Sequence, residues 1–216
     1  MKAGTKIFSQ GAFICIEGNI GIGKTNLVQR LSGHFNSFSL FEEFEDNPWL
    51  PLFYKDPNKM ALAAELSFLM DRGRQLLNTQ KQPRDKLLFS DYCLDKSLLF
   101  SEVNLSKENF TVYKKLHSSI SSTIRAPDLV IILHAPATSL IKNIKQRNRD
   151  YEQNTSPAYL EKLNTAYKTF FGKRKSYPVL NIFTEELNKK IYDQIFDEVV
   201  SYLQKGSSFK NKNIEL

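Results

Sequence analysis

Residues 16–25, IEGNIGIGKT, hold the spacing G-x-x-x-x-G-K-[ST] through Gly18, Gly23, Lys24 and Thr25. Glycines let such a loop wrap tightly, so that backbone N–H groups converge on phosphate oxygens. Lys24 is spaced to reach the β- and γ-phosphates, and the Thr25 hydroxyl to ligand Mg²⁺. The apolar run AFICIE (12–17) precedes the loop. KTNLVQRLSGHF (24–35) follows it, with Leu27, Leu31 and Phe35 at helical spacing. A strand, a loop and a helix in that order aim the positive end of the helix dipole at the phosphates. The chain is expected to bind a nucleoside triphosphate through Gly18, Asn19, Ile20, Gly21, Gly23, Lys24 and Thr25.

The pattern continues beyond the loop. Further β-rich apolar runs lie at 38–42, 86–91, 128–134 and 179–183. Helical patterns fill 24–35, 58–80, 94–103, 107–124, 136–147, 157–171 and 187–204. Alternating strands and helices predict an α/β fold with a parallel sheet covered on both faces, and ligands at the carboxyl ends of its strands. With 216 residues and no Gly/Ser linker, one domain over 1–204 is expected, followed by a flexible polar tail at 205–216. No apolar run approaches the ~20 residues of a membrane span. The N-terminus has no apolar h-region, so a cytoplasmic protein is expected. Cys15 and Cys93 lack metal-ligand spacing and read as buried thiols, and His34, His117 and His134 as structural or surface residues.

The net charge of +7 invites a nucleic-acid polymer as partner. Its distribution argues against one. The basic residues collect in separate short clusters, at 142–149, 173–175 and 205–212, while 42–46 is acidic. A polyphosphate substrate accounts for one basic cluster by itself.

Charged residues follow the strands where a site is expected. Glu42, Glu43, Glu45 and Asp46 come after the second strand, Asp91 after the third, and Lys145, Arg147, Arg149 and Glu152 after the fourth and its helix. A carboxylate beside a γ-phosphate, with arginines on a mobile loop, is the equipment of phosphoryl transfer to a hydroxyl. A GTPase would need a water-positioning residue and an N-K-x-D element, and neither is found. The acceptor reads as a small molecule.

Three segments together resemble the deoxynucleoside kinases, especially the bacterial purine deoxynucleoside kinases: GNIGIGKT (18–25), EEFEDNPWLPLFYKDP (42–57) and RNRDYEQNTSPAYLEKL (147–163). The likeness runs from about residue 12 to residue 203. It implies a P-loop NTPase-type three-layer α/β/α fold, with a five-stranded parallel sheet in the order 2-3-1-4-5 and a lid at about 147–156. It also implies ATP with Mg²⁺, a deoxynucleoside acceptor phosphorylated on its 5′-hydroxyl in nucleotide salvage, and a homodimer built through about 94–103 and 107–124. Glu42 matches the catalytic base, and Lys24, Arg147 and Arg149 the groups that meet the phosphates. Tyr54 and Glu152 match the grip on the deoxyribose 3′-hydroxyl. Asp91 matches an acid near Mg²⁺ and the 5′-oxygen, and Arg72 an arginine facing the base. Phe68 and Phe100 are candidates to lie against the base, and Trp49 to line the pocket or pack beneath it.

The chain departs from the resembled pattern at three places. Tyr92 stands in DYC (91–93) where an arginine belongs, Asn143 stands where the lid has an earlier arginine, with Lys145 as a partial substitute, and Glu65 replaces a base-reading glutamine. An ionised glutamate only accepts hydrogen bonds, which suits the adjacent N1–H and N2–H₂ donors of guanine better than adenine. Two other readings stay open: a nucleoside-monophosphate kinase of thymidylate type, which the acidic 42–57 segment disfavours, and a non-catalytic nucleotide-binding module.

Overall fold

In the computed structural model, residues 11–44, 47–81, 83–173, 176–205 and 210–216 are described. Glu45, Asp46 and part of the 173–175 basic cluster lie outside them. The molecule is built around β1 (Phe13–Gly18), every residue of which is buried. It pairs in parallel with β3 (Leu88–Ser90) on one side and β4 (Leu129–His134) on the other. β2 (Phe38–Leu40) joins β3, and β5 (Val179–Phe183) joins β4.

Side chains alternate across a strand, so a sheet covered on both faces needs unbroken apolar runs. Ile14, Ile16, Ile131 and Leu133 enter one core with Leu27 and Leu31 of α1 (Lys24–Phe35) and Val199 of α8 (Lys189–Gln204). Phe13, Cys15, Val130 and Ile132 enter a second core on the opposite face. There they meet Leu69 of α3 (Pro57–Thr79), Leu99 of α4 (Asp95–Asn104), Tyr113 of α5 (Lys107–Ser121) and Leu163 of α7 (Pro157–Gly172). Each fully buried leucine contributes about 1.5–3 kcal/mol through burial. Cys15 and Cys93 are buried free thiols.

Two elements correct the sequence reading. The sheet has six strands, in the order β2-β3-β1-β4-β5-β6. The sixth, β6 (Lys212–Glu215), lies in the segment expected to be a flexible tail and pairs in parallel with β5. An edge strand is held by its backbone, so it needs no apolar alternation. Here Asn211 accepts from the Val179 N–H at 2.8 Å, and the side chains of Asn181 and Asn213 bond at 3.0 Å. The other addition is α2 (Trp49–Lys55). No helical pattern is expected there, yet Pro48 precedes the helix and Pro51 falls in its first turn, where no intrahelical N–H bond is lost. Among the described residues, no helix is long and apolar enough to cross a membrane.

Candidate active site

The loop after β1 turns through positive φ at Gly21 (80°) and Gly23 (91°). A Cβ at Gly21 would come 2.8 Å from the Leu140 carbonyl of α6 (Ala137–Arg147), so side chains are excluded by space as well as by backbone. Buried Asn19 pins the loop: its amide donates to the Leu160 carbonyl and to Asn164 Oδ1, both at 2.8 Å, while its Oδ1 accepts from the Ile20 N–H at 2.7 Å. Asn143 donates to the Gly21 carbonyl at 2.8 Å. The residue that replaces a lid arginine therefore ties α6 to the phosphate loop. Lys24 Nζ donates to the Gly18 and Asn19 carbonyls at 2.9 and 3.0 Å. Burial, with the nearby Lys96 charge, lowers its pKa to about 8, so an anion at this position is favoured.

A chain of hydrogen bonds runs from this loop to Glu42. Thr25 Oγ1 donates to Asp91 Oδ2 at 2.6 Å, and Asp91 Oδ1 accepts from the Glu42 N–H at 2.8 Å. The Glu42 carboxylate is gripped from both sides. Arg72 Nε donates to Oε1 at 2.7 Å, and Lys96 Nζ to Oε2 at 2.5 Å. Burial would raise the Glu42 pKa, but the Arg72 and Lys96 cations override it and hold it at about 2. Tyr92 is fully buried and donates its hydroxyl to Gln75 Oε1 at 2.6 Å. Lys96, the second residue of the next helix, brings the cation that Tyr92 lacks.

Two helix faces close the far end of the cleft. Glu65, Leu69, Arg72 and Leu76 recur at helical spacing along α3 and are buried together. Lys96, Phe100 and Asn104 recur every fourth residue along α4 and all line the same cleft. It encloses about 820 Å³ including its mouth, the size of a small-molecule site. Glu65 sits in its wall, with Oε1 accepting from Asn104 Nδ2 at 2.8 Å. Phe68 and Phe100 also border it, and Arg72 stacks over the Phe68 ring at 4.8 Å. Arg72 is committed to Glu42 and to Ser97 Oγ (2.7 Å). Trp49 does not line this cleft: it is 40% exposed at the start of α2, beside an outer groove with Pro48 and Ser67. The amphipathic helix buries Phe53 instead and leaves Trp49 on its outer side.

The expected lid begins as α6 ends at Arg147 and Asn148 takes a left-handed turn (φ 56°). A short 3-10 turn, Asp150–Glu152, follows. Arg147 ion-pairs with Glu152, Arg149 lies 3.6 Å from Glu152 Oε1, and its guanidinium covers the Phe44 ring at 4.2 Å. Tyr54 and Glu152 border the cleft together, and burial with the Glu152 charge pushes the Tyr54 pKa up. Lys145 is exposed and outside the cleft. Glu42, Tyr54, Glu65, Arg72, Asp91, Phe100, Arg147, Arg149 and Glu152 are thus brought to one cavity with Lys24 and Thr25. Sequence reasoning gave no role to Asn104 or Tyr159, which line it too. The four-residue recurrence from Lys96 is the signal that marks Asn104.

The deoxynucleoside kinase family profile matches residues 14–204. The chain belongs to the deoxynucleoside kinase family. It is a kinase that phosphorylates deoxynucleosides, the reaction of salvage. The kinase is 31% identical over 193 residues to deoxyguanosine kinase of Bacillus subtilis, covering 85% of this chain and 93% of that one. It is 35% identical over 178 residues to deoxyadenosine kinase of Dictyostelium discoideum, covering 80% and 72%. Deoxyadenosine kinase from M. mycoides with bound dATP shares the fold, with a TM-score of 0.76 at 23% identity over 88% of this kinase and 99% of that chain.

Proposed function

We propose that this kinase transfers the γ-phosphoryl group of ATP to the 5′-hydroxyl of a purine deoxynucleoside. The observation that carries the reading is Glu42, held ionised at the junction between the phosphate loop and the cavity that ends at Glu65. A 5′-hydroxyl in that cavity meets a carboxylate within reach of the loop where ATP binds. The relatives named for deoxyguanosine and deoxyadenosine support the purine assignment. A monophosphate acceptor would place its phosphate beside the γ-phosphate and need free cations there, where Arg72 and Lys96 are instead bonded to Glu42.

Phosphoryl transfer passes through a loose transition state in which the protein mainly positions groups and neutralises charge. A weakly basic Glu42 suits this chemistry. It orients the hydroxyl through an accepted hydrogen bond and takes the proton as bonding to phosphorus makes that hydroxyl acidic. Lys24 leaves its two carbonyls for the phosphates. The Thr25 hydroxyl and Asp91 carboxylate offer oxygen ligands, few in number, which fit Mg²⁺. Mg²⁺ bound there would neutralise charge on the β- and γ-phosphates. The test is steady-state kinetics on deoxyguanosine, deoxyadenosine, deoxycytidine and thymidine. The two purines are expected to have the higher kcat/KM, and a pyrimidine ahead of both would contradict the assignment.

Arg147 and Arg149, both beside Glu152, meet charge that grows as the phosphoryl group moves. Arg147→Ala and Arg149→Ala should each lower kcat about tenfold to a thousandfold while changing nucleoside KM less. Equal losses in rate and nucleoside binding would remove the lid role.

The kinase is further proposed to act in the cytoplasm as a homodimer. α4 spends its apolar stripe on its own core. The packed helices α3 and α5 instead leave Met70 and Leu77, and Val112 and Leu116, exposed. Light scattering should give a dimer for the wild type and a monomer for Val112→Asp/Leu116→Asp. A wild-type monomer would refute the dimer.

A further inference from the structure

The Lys24 ammonium is held by two acceptors, the carbonyls of Gly18 and Asn19. The chain on either side of Gly18 is braced from α7. Before it, Tyr167 donates its hydroxyl to Glu17 Oε2 at 3.1 Å. After it, Asn19 Nδ2 donates to Asn164 Oδ1 and to the Leu160 carbonyl, both at 2.8 Å. Leu160, Asn164 and Tyr167 recur at helical spacing, so one face of α7 makes all three contacts.

The partners fix how each amide is turned. Asn164 Nδ2 donates to the Ala135 carbonyl just beyond β4 at 3.1 Å, which leaves its Oδ1 to face Asn19. Asn19 meets two acceptors with its Nδ2 and the Ile20 N–H with its Oδ1. Turning either amide over would set oxygen against oxygen and N–H against N–H. Asn19 is 1% exposed, so every hydrogen-bonding atom of its side chain is satisfied by protein rather than by bulk water.

The effect passes along one peptide plane. In a planar trans peptide the N–H and the carbonyl point in opposite directions. The Asn19 Oδ1 holds the Ile20 N–H at 2.7 Å and thereby aims the Asn19 carbonyl to the other side. That carbonyl accepts from Lys24 Nζ at 3.0 Å and from the Ile22 N–H at 3.4 Å. A turned plane would cost the ammonium one acceptor and the loop one internal bond.

We infer that Asn164 of α7 is a positioning residue for the phosphate-binding lysine. It orients the Asn19 amide, the amide fixes the 19–20 peptide, and the peptide keeps Lys24 ordered for the triphosphate. The inference goes beyond the proposed function and rests on it for the identity of the ligand, ATP. Asn164 does not border the cleft, so it acts through Asn19 and not by contact with substrate. Ordering a long side chain in advance removes an entropy cost that binding would otherwise bear.

The test is calorimetric binding of MgATP to the wild type, Asn164→Ala, Asn19→Ala and the double variant. Asn164 is half-buried and alanine is the strongest helix former, so Asn164→Ala should fold. It should weaken MgATP binding by about threefold to tenfold, the worth of one hydrogen bond. The double variant should bind no more weakly than Asn19→Ala, because the two residues form one path. KM for the nucleoside should stay near its wild-type value. Leu163→Val thins the core beside Asn164 and should lower Tm while leaving MgATP affinity unchanged. Full MgATP affinity in Asn164→Ala, additive losses in the double variant, or an equal loss in Leu163→Val would overturn the inference. A wild type that binds MgATP but does not phosphorylate a purine deoxynucleoside from it removes the proposed function, and the four affinities still decide the role of Asn164. A wild type that does not bind MgATP removes both.

Discussion

Glu42→Gln lowers kcat by about two to four orders of magnitude, the usual worth of a general base. The amide keeps the shape of the carboxylate but cannot receive the proton of the 5′-hydroxyl. It also leaves Arg72 and Lys96 without their shared anion. ATP binding survives, because Lys24 and the loop backbone make no bond to the Glu42 side chain. Neighbouring Glu43 cannot take over: its exposed side chain turns outward to Arg74 at 2.8 Å. Pre-steady-state phosphoryl transfer with nucleoside and ATP both saturating isolates the effect. Near-normal turnover in Glu42→Gln would move the base elsewhere.

Lys96→Met is expected to cost nearly as much, about a hundredfold to a thousandfold in kcat, the scale of one electrostatic partner at a reacting centre. Methionine retains the apolar stem against Phe100, over whose ring the ammonium sits at 5.7 Å. What disappears is one of the two charges that depress the Glu42 pKa. That pKa should rise from about 2 toward the ordinary carboxylate range. The sign is fixed by the depression. Wild-type Glu42 stays ionised as pH falls through the carboxylate range, whereas the variant protonates there and loses its base. The pH profile of kcat/KM for the nucleoside should thus gain an acid limb, and Lys96→Arg should remove it again. An unaltered profile in Lys96→Met would show that the lysine only fills space.

Much of this was legible in the chain. The phosphate loop, β1 and α1 follow from glycine spacing and apolar periodicity, which no tertiary contact needs to supply. Glu42 and Asp91 stand out because parallel strands deliver their following residues to one edge. β6 stayed hidden because its bonds are made by backbone and asparagine side chains. The role of Lys96 was obscured for a related reason. A single lysine on a helix ordinarily lies in solvent, and only the fold reveals that it is 5% exposed and bonded to the Glu42 carboxylate. Asn104 shares that helix face. Arg72 was expected at the base, but Glu42 lies within its reach and an ion pair claims it. The resemblance marked Glu65 as a departure from a glutamine, but could not tell that one oxygen would be buried without a partner.

In the proposed function, one cavity carries the γ-phosphoryl group of ATP to a nucleoside 5′-hydroxyl. The direct measurement is transfer of label from γ-labelled ATP in the presence of Mg²⁺. Separate reactions offer deoxyguanosine, deoxyadenosine, their 5′-monophosphates and no acceptor, and phosphorus NMR locates the product phosphate. Label should appear on the 5′-oxygen of both nucleosides, with little on the monophosphates and little released to water. Label found on the monophosphates instead, or on no acceptor at all, would contradict it.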